Sequence, residues 1–136
     1  MNQRLKQLRS LFTTEPLGRS LGARLIGLKR GWAAVSAVAR NDLLVSVGIV
    51  QGGVIAAVAD YAGVYAAMSV IPAGHTPAAR ININFLRPIS AGEDIVAVAR
   101  VVDETRTTVS VAFEVTGAAV RRKALGTILF VKPRRR

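Results

Sequence analysis

Between Leu43 and Ala79 the chain carries one formal charge, the carboxylate of Asp60. An unpaired carboxylate buried in apolar surroundings costs on the order of several kcal/mol. Asp60 is therefore exposed by geometry, paired, or kept for chemistry as a nucleophile or general base. Nine residues upstream stand Gln51, Gly52 and Gly53, just before a long Ala/Val run. A helix that opens there offers unsatisfied N–H groups and a positive partial charge, and glycines let a ligand approach that backbone closely. The amides of Gly52 and Gly53 then form a candidate oxyanion hole. Alternatively, the glycines serve only a tight helix start, and Asp60 is a capped or salt-bridged helix carboxylate. His75 is the one histidine and cysteine is absent. A multi-histidine or thiolate metal site and a disulfide are thus excluded, and any Ser–His pair would have to use His75.

These residues need elements to hold them. "WAAVSAVAR" (32–40) alternates and reads as a strand. From Gly53 to about Ser69 no proline or turn residue interrupts the run, so one helix of four to five turns is expected. It is apolar on every side and is expected to be buried all round. "PAGHTP" reads as a loop that holds His75 exposed. "ARININFLRP" (79–88), "DIVAVARVVDE" (94–104), "TVSVAFEVT" (108–116) and "VRRKALGTILFVK" (120–132) alternate and are separated by short turns. They predict four strands in an antiparallel meander, in a sheet of five. One five-stranded sheet cannot cover a helix on all sides, so a second subunit is expected to complete the cover.

The chain has 136 residues, 51% of them hydrophobic, which suits one domain. The reading divides it into an N-terminal amphipathic arm (1–22), the domain proper (23–132) and a basic tail (133–136). "MNQRLKQLRSLF" spaces its leucines as a helix does and lacks the continuous apolar core of a signal peptide. A membrane span over 43–73 is not expected, given Gln51, Asp60 and the glycines Gly48, Gly52 and Gly53. A net charge of +11 favours anionic partners. Aromatics are few and not interleaved with the basic residues, so nucleic acid is not the expected partner. Lack of cysteine fits a reducing, cytoplasmic setting.

Four motifs in order carry a resemblance: "GIVQGG" (48–53), Asp60 nine residues after Gln51, "INFLRP" (83–88) and "AGED" (91–94). Together they resemble the acyl-CoA thioesterases of the phenylacetate-pathway, PaaI-like type, over roughly residues 20–132. That family has the hotdog fold, an α+β arrangement in which an antiparallel sheet wraps one long buried helix. Two positions depart from its pattern. Gln51 stands where the family has His, and Val45 where it has Asn. The Gln51 amide can still donate a hydrogen bond and Val45 cannot.

The resemblance implies hydrolysis of an acyl-CoA thioester, with Asp60 as nucleophile or base and Gln51, Gly52 and Gly53 at the carbonyl. It implies coenzyme A along Arg106 and Thr107 in the "ETRTT" turn, with Phe85 of the third motif beside the ligand. Thr76 is the nearest hydroxyl to the family's serine or threonine. Arg80 and the Arg121–Lys123 cluster are further phosphate-binding candidates, whereas Arg87 is read as pairing with Glu93 or Asp94. Tyr61 and Tyr65 share a helix face and either line the acyl tunnel or pack at the dimer seam, with packing the favoured reading. No metal or cofactor is implied, because the coenzyme A thioester is itself the substrate. Asp60 lies about 10 Å along the helix from Gly53, too far for both to serve one carbonyl. Two antiparallel helices from two subunits would solve this, so an obligate homodimer with composite sites is expected, with a tetramer of two dimers left open. A hotdog that binds acyl-CoA without turning it over is the alternative. A hydratase is disfavoured because His75 is expected on the wrong side of the helix.

Overall fold

The structure, a computed structural model, describes residues 2–134. Arg135 and Arg136 of the basic tail lie outside the described residues. The elements run α1 (Gln3–Phe12), α2 (Pro16–Leu21), β1 (Arg24–Lys29), β2 (Trp32–Val38), α3 (Gly52–Met68), β3 (Ala78–Phe85), β4 (Asp94–Glu104), β5 (Thr108–Thr116) and β6 (Arg122–Val131). The six strands form one sheet in the order β1-β2-β4-β5-β6-β3, and every neighbouring pair is antiparallel.

The sheet curls around α3, which packs against β2, β4 and β5. This is the hotdog arrangement. Inward-facing alternate residues of the central strands, Val35, Ile95, Ala97, Ala99, Val109, Val111, Phe113 and Val115, are buried against the helix. The small residues of α3 let the sheet approach it closely. A Cβ on Gly63 would stand 2.9 Å from the Cδ1 of Ile128. The helix ends where Ser69 turns its hydroxyl onto the Ala66 carbonyl (2.6 Å) and accepts the Gly31 N–H (2.7 Å).

Three expectations need correction. The sheet has six strands, not five, because "RLIGLK" (24–29) pairs with β2 around Gly31, whose φ is +75°. The four later strands are not a continuous meander. β4, β5 and β6 are consecutive, but β3 lies on the far side of β6, so Leu86–Glu93 crosses the sheet rather than turning a hairpin. Along that crossing the Leu86 and Arg87 N–H groups donate to the Lys123 carbonyl, and the Ile89 carbonyl accepts from Val50. Finally, α3 is buried all round only from Ala62 onward. Gly53, Val54, Ala56, Ala57 and Asp60 keep solvent contact on its N-terminal half.

The N-terminal arm packs onto the outside of α3 and β1. Leu8 and Phe12 reach the core, and the Phe12 ring meets Tyr61 and Tyr65 edge-on at 5.6 and 5.0 Å. Tyr65 donates to Glu15 (2.8 Å), and the Tyr61 oxygen accepts the Gly18 N–H (3.0 Å). The tyrosines pack, but against the arm of their own chain rather than at the dimer seam expected for them. The edge strand β3 is the opposite case: all its residues but Ile83 are exposed, including Ile81 and Phe85. No helix among the described residues is long and apolar enough to cross a membrane.

Candidate active site

Asp60 sits in the third turn of α3, half-buried. No cation is paired with it. Among the described residues the ion pairs join Arg40 to Asp42, Arg122 to Glu114, Lys123 to Glu93 and Lys132 to Glu104. Burial raises its pKa above the ordinary carboxylate range, and the charge of His75 draws it partway back. His75 is exposed on the loop after α3, as expected, but it is not remote. The expectation that it lies on the wrong side of the helix fails, since its charge acts on the Asp60 carboxylate.

The first turn of α3 is open. Gln51 is the N-cap residue, yet its side chain makes no capping bond. The Gly52 and Gly53 amides donate to no acceptor among the described residues, while Val54 and Ile55 both donate to the Gln51 carbonyl. The Gln51 Oε1 lies 2.6 Å from where a Cβ on Gly53 would stand, so its amide lies over that glycine. The Phe85 ring covers Gly52, with its Cζ 3.2 Å from the corresponding Cβ position. A side chain at either position would have to displace the Gln51 amide or the Phe85 ring. Val45 contributes only backbone, its N–H bonding the Ile49 carbonyl (2.8 Å).

Arg106 and Thr107 lie together in the β4–β5 turn. They line a cavity of about 1050 Å³ whose opposite wall is the loop Val70–Gly74. Lys132 and Arg134 also face it. The sequence reading gave neither of these two a place at the ligand. The pairing of β5 with β6, in which Thr108 faces Val131, is what carries them to the turn. Lys132 is held by Glu104 (2.6 Å). Arg106 and Arg134 have no carboxylate partner among the described residues, so the cavity presents free cations.

Other predicted residues fall elsewhere. Arg80 is exposed on β3 and does not line the cavity. Arg87 donates to the Arg122 carbonyl (2.7 Å) and not to Glu93 or Asp94. Glu93 instead accepts from the Ser90 and Ala118 amides and pairs with Lys123, while Arg122 pairs with Glu114. Two members of the Arg121–Lys123 cluster are thus spent on structure. Thr76 is fully buried and its Oγ1 has no hydrogen-bond partner. Such a group carries an unmet desolvation cost.

One chain thus gathers three partial constellations: Gln51, Gly52, Gly53 and Phe85 at the start of α3; Asp60 with His75 further along it; and Arg106 and Thr107 at the cavity. A model of the thioesterase superfamily matches residues 47–122, which hold all of these. Comparison with curated proteins gives no match. Among solved structures, the chain is similar to the E. coli PaaI protein from the phenylacetic acid degradation operon, with 23% identity, a TM-score of 0.90, and coverage of 96% of this chain and 94% of that one. A mutant of the phenylacetic acid degradation protein PaaI from Thermus thermophilus gives 28%, 0.82, 88% and 100% respectively. The smu.793 protein of Streptococcus mutans UA159, solved with acetyl CoA bound, gives 23%, 0.76, 84% and 91%.

Proposed function

Since this chain belongs to the thioesterase superfamily, its general chemistry is thioester hydrolysis, and we propose that it hydrolyses acyl-CoA thioesters with Asp60 as nucleophile or general base. The observation that carries this reading is the state of Asp60: a half-buried carboxylate with no ion pair, in an otherwise charge-free stretch. The fold makes no use of its charge, so chemistry is left to account for it. A thiolate leaves readily, so such a reaction needs little acid help and suits a lone carboxylate.

The free amides of Gly52 and Gly53 are the oxyanion donors in this reading, with Gln51 beside them. They cannot serve the carbonyl that the same chain's Asp60 attacks, because the helix separates them by about 10 Å. Gly53, Ala56, Ala57 and Asp60 follow one another at helical spacing on the part of α3 that the sheet leaves open. Two such stripes packed antiparallel would place the glycines of one copy beside the carboxylate of the other. The exposed edge strand β3, with Ile81 and Phe85, offers the adjoining surface. A homodimer with two composite sites is therefore part of the proposal. The cavity at Arg106 and Thr107 is the cleft for the phosphate-bearing arm of coenzyme A, since its unpaired guanidiniums suit pyrophosphate and phosphomonoester oxygens.

The test is thiol release from short, medium, long and aromatic acyl-CoAs. Turnover of at least one class is expected. Binding of CoA esters with no turnover of any would replace the hydrolase by a non-catalytic acyl-CoA binding protein. The pH profile is a second check. The reaction needs the carboxylate ionised, so kcat/KM should rise with an acid limb above the ordinary carboxylate range. His75→Gln removes the charge that lowers the Asp60 pKa, so the limb should move to still higher pH. A limb that stays in place in this variant would remove His75 from the site.

A further inference from the structure

Arg4 stands in the first turn of α1, where the positive end of the helix dipole disfavours a cation. Its guanidinium is nevertheless drawn inward and partly buried. Leu8 and Phe12, at four and eight residues further on the same face, are locked into the core and fix its direction. The side chain reaches two carbonyls far away in sequence. Nε donates to Met68 (3.1 Å), the last residue of α3, and Nη2 donates to Gly74 (2.8 Å). The stretch between these anchors is the Val70–Gly74 loop that forms one wall of the cavity. On its other flank Gly74, at φ +87°, lies against the Pro133 ring.

We propose that Arg4 is a positioning residue for the ligand cleft: it ties the cleft wall at Gly74 to the end of the catalytic helix at Met68. This rests on the reading of that cavity as the cleft for coenzyme A. A planar guanidinium suits the task because its donors form a rigid fork whose separate nitrogens reach two acceptors, while the donors of an ammonium all radiate from one nitrogen. The N-terminal arm, outside the segment that matches the family model, thereby sets the shape of the substrate's entry. A local placement that the helix dipole opposes is retained for a contact 64 and 70 residues away.

The experiment compares wild type, Arg4→Met, Arg4→Lys and Arg106→Ala, using the best acyl-CoA substrate and, separately, free CoA in equilibrium binding. Arg4→Met is expected to raise KM and weaken CoA binding about tenfold, the scale of one lost charge-assisted hydrogen bond, with kcat within about twofold. Arg4→Lys should fall between the two and keeps the test decisive if Arg4→Met fails to fold. Backbone hydrogen exchange over residues 70–74 should quicken in step with KM. Unchanged KM and CoA affinity in a folded Arg4 variant, or a fall confined to kcat, overturns the proposal. If Arg106→Ala leaves CoA affinity unchanged, the cleft itself is misassigned and the proposal falls with it. If Arg106→Ala weakens binding and Arg4→Met does not, the cleft stands and only the role of Arg4 is lost.

Discussion

Asp60→Asn is expected to lower kcat/KM for the best acyl-CoA by at least about a hundredfold while leaving the protein as stable as wild type, or more so, at neutral pH. Both halves come from the same observation. The carboxylate is half-buried and unpaired, so ionising it costs free energy that the fold does not recover. Its raised pKa means that the folded chain holds this proton more tightly than the unfolded chain does. That contribution to stability is fully present below the unfolded pKa and is lost as pH rises through the folded one. Asn keeps the shape and removes the ionisation, so the melting temperature of the variant should gain on wild type as pH rises through that window. Activity and stability then move in opposite directions, as expected of a residue kept for chemistry. A rate loss under tenfold would place the reaction elsewhere. A variant that melts well below wild type at neutral pH would make Asp60 a structural carboxylate.

The parts of this molecule that are legible in its sequence are those whose signal is local. The helix expected over 53–69 lies at 52–68, because a glycine pair opens it and an unbroken Ala/Val run carries it. The strands β4 and β5 match their expected bounds to the residue, because each buries one face and so alternates. β1 escapes because Gly27 interrupts it. A Cβ there would come within 2.6 Å of the Trp32 ring, so the glycine reflects packing from the next strand. The place of β3 escapes for a different reason. Alternation shows that "ININF" is a strand but carries no information about its partner, and the "SAGE" turn that invites a hairpin with β4 instead ends the crossing from the far edge of the sheet. At the site, Asp60 and the glycines announce themselves by type and spacing. The proximity of His75 to Asp60, and of Arg134 to Arg106, depends on how a loop and a terminal strand return, and nothing local encodes that.

Gly126→Ala is expected to be the most damaging single-methyl change in the chain. Gly126 lies mid-strand in β6, between Phe113 of β5 and Ile83 of β3. A Cβ there would collide with the backbone oxygen of Asn82 and would stand 2.8 Å from the Phe113 ring. The obstacle on the β3 side is main chain, which cannot swing aside as a side chain does. β3 must therefore move away from β6, or the sheet must bend. Overpacking a well-packed interior costs about 1–3 kcal/mol even when side chains can yield, so the loss here should reach or exceed the upper end. For a domain of this size that is roughly a 10 °C fall in melting temperature. Gly92→Ala is the control. Its φ of +84° predicts a left-handed strain of about 1–2 kcal/mol, but nothing stands within 4 Å of the added methyl. The two variants should therefore differ in kind. Gly92→Ala melts somewhat lower and otherwise behaves as wild type. Gly126→Ala also loosens β3, the strand that seats Phe85 over the first turn of α3, so hydrogen exchange should quicken along 78–85 and turnover should fall with it. A melting temperature for Gly126→Ala within a few degrees of wild type would mean that β3 and β6 do not meet in this register. Phe85 would then have no fixed place beside Gly52.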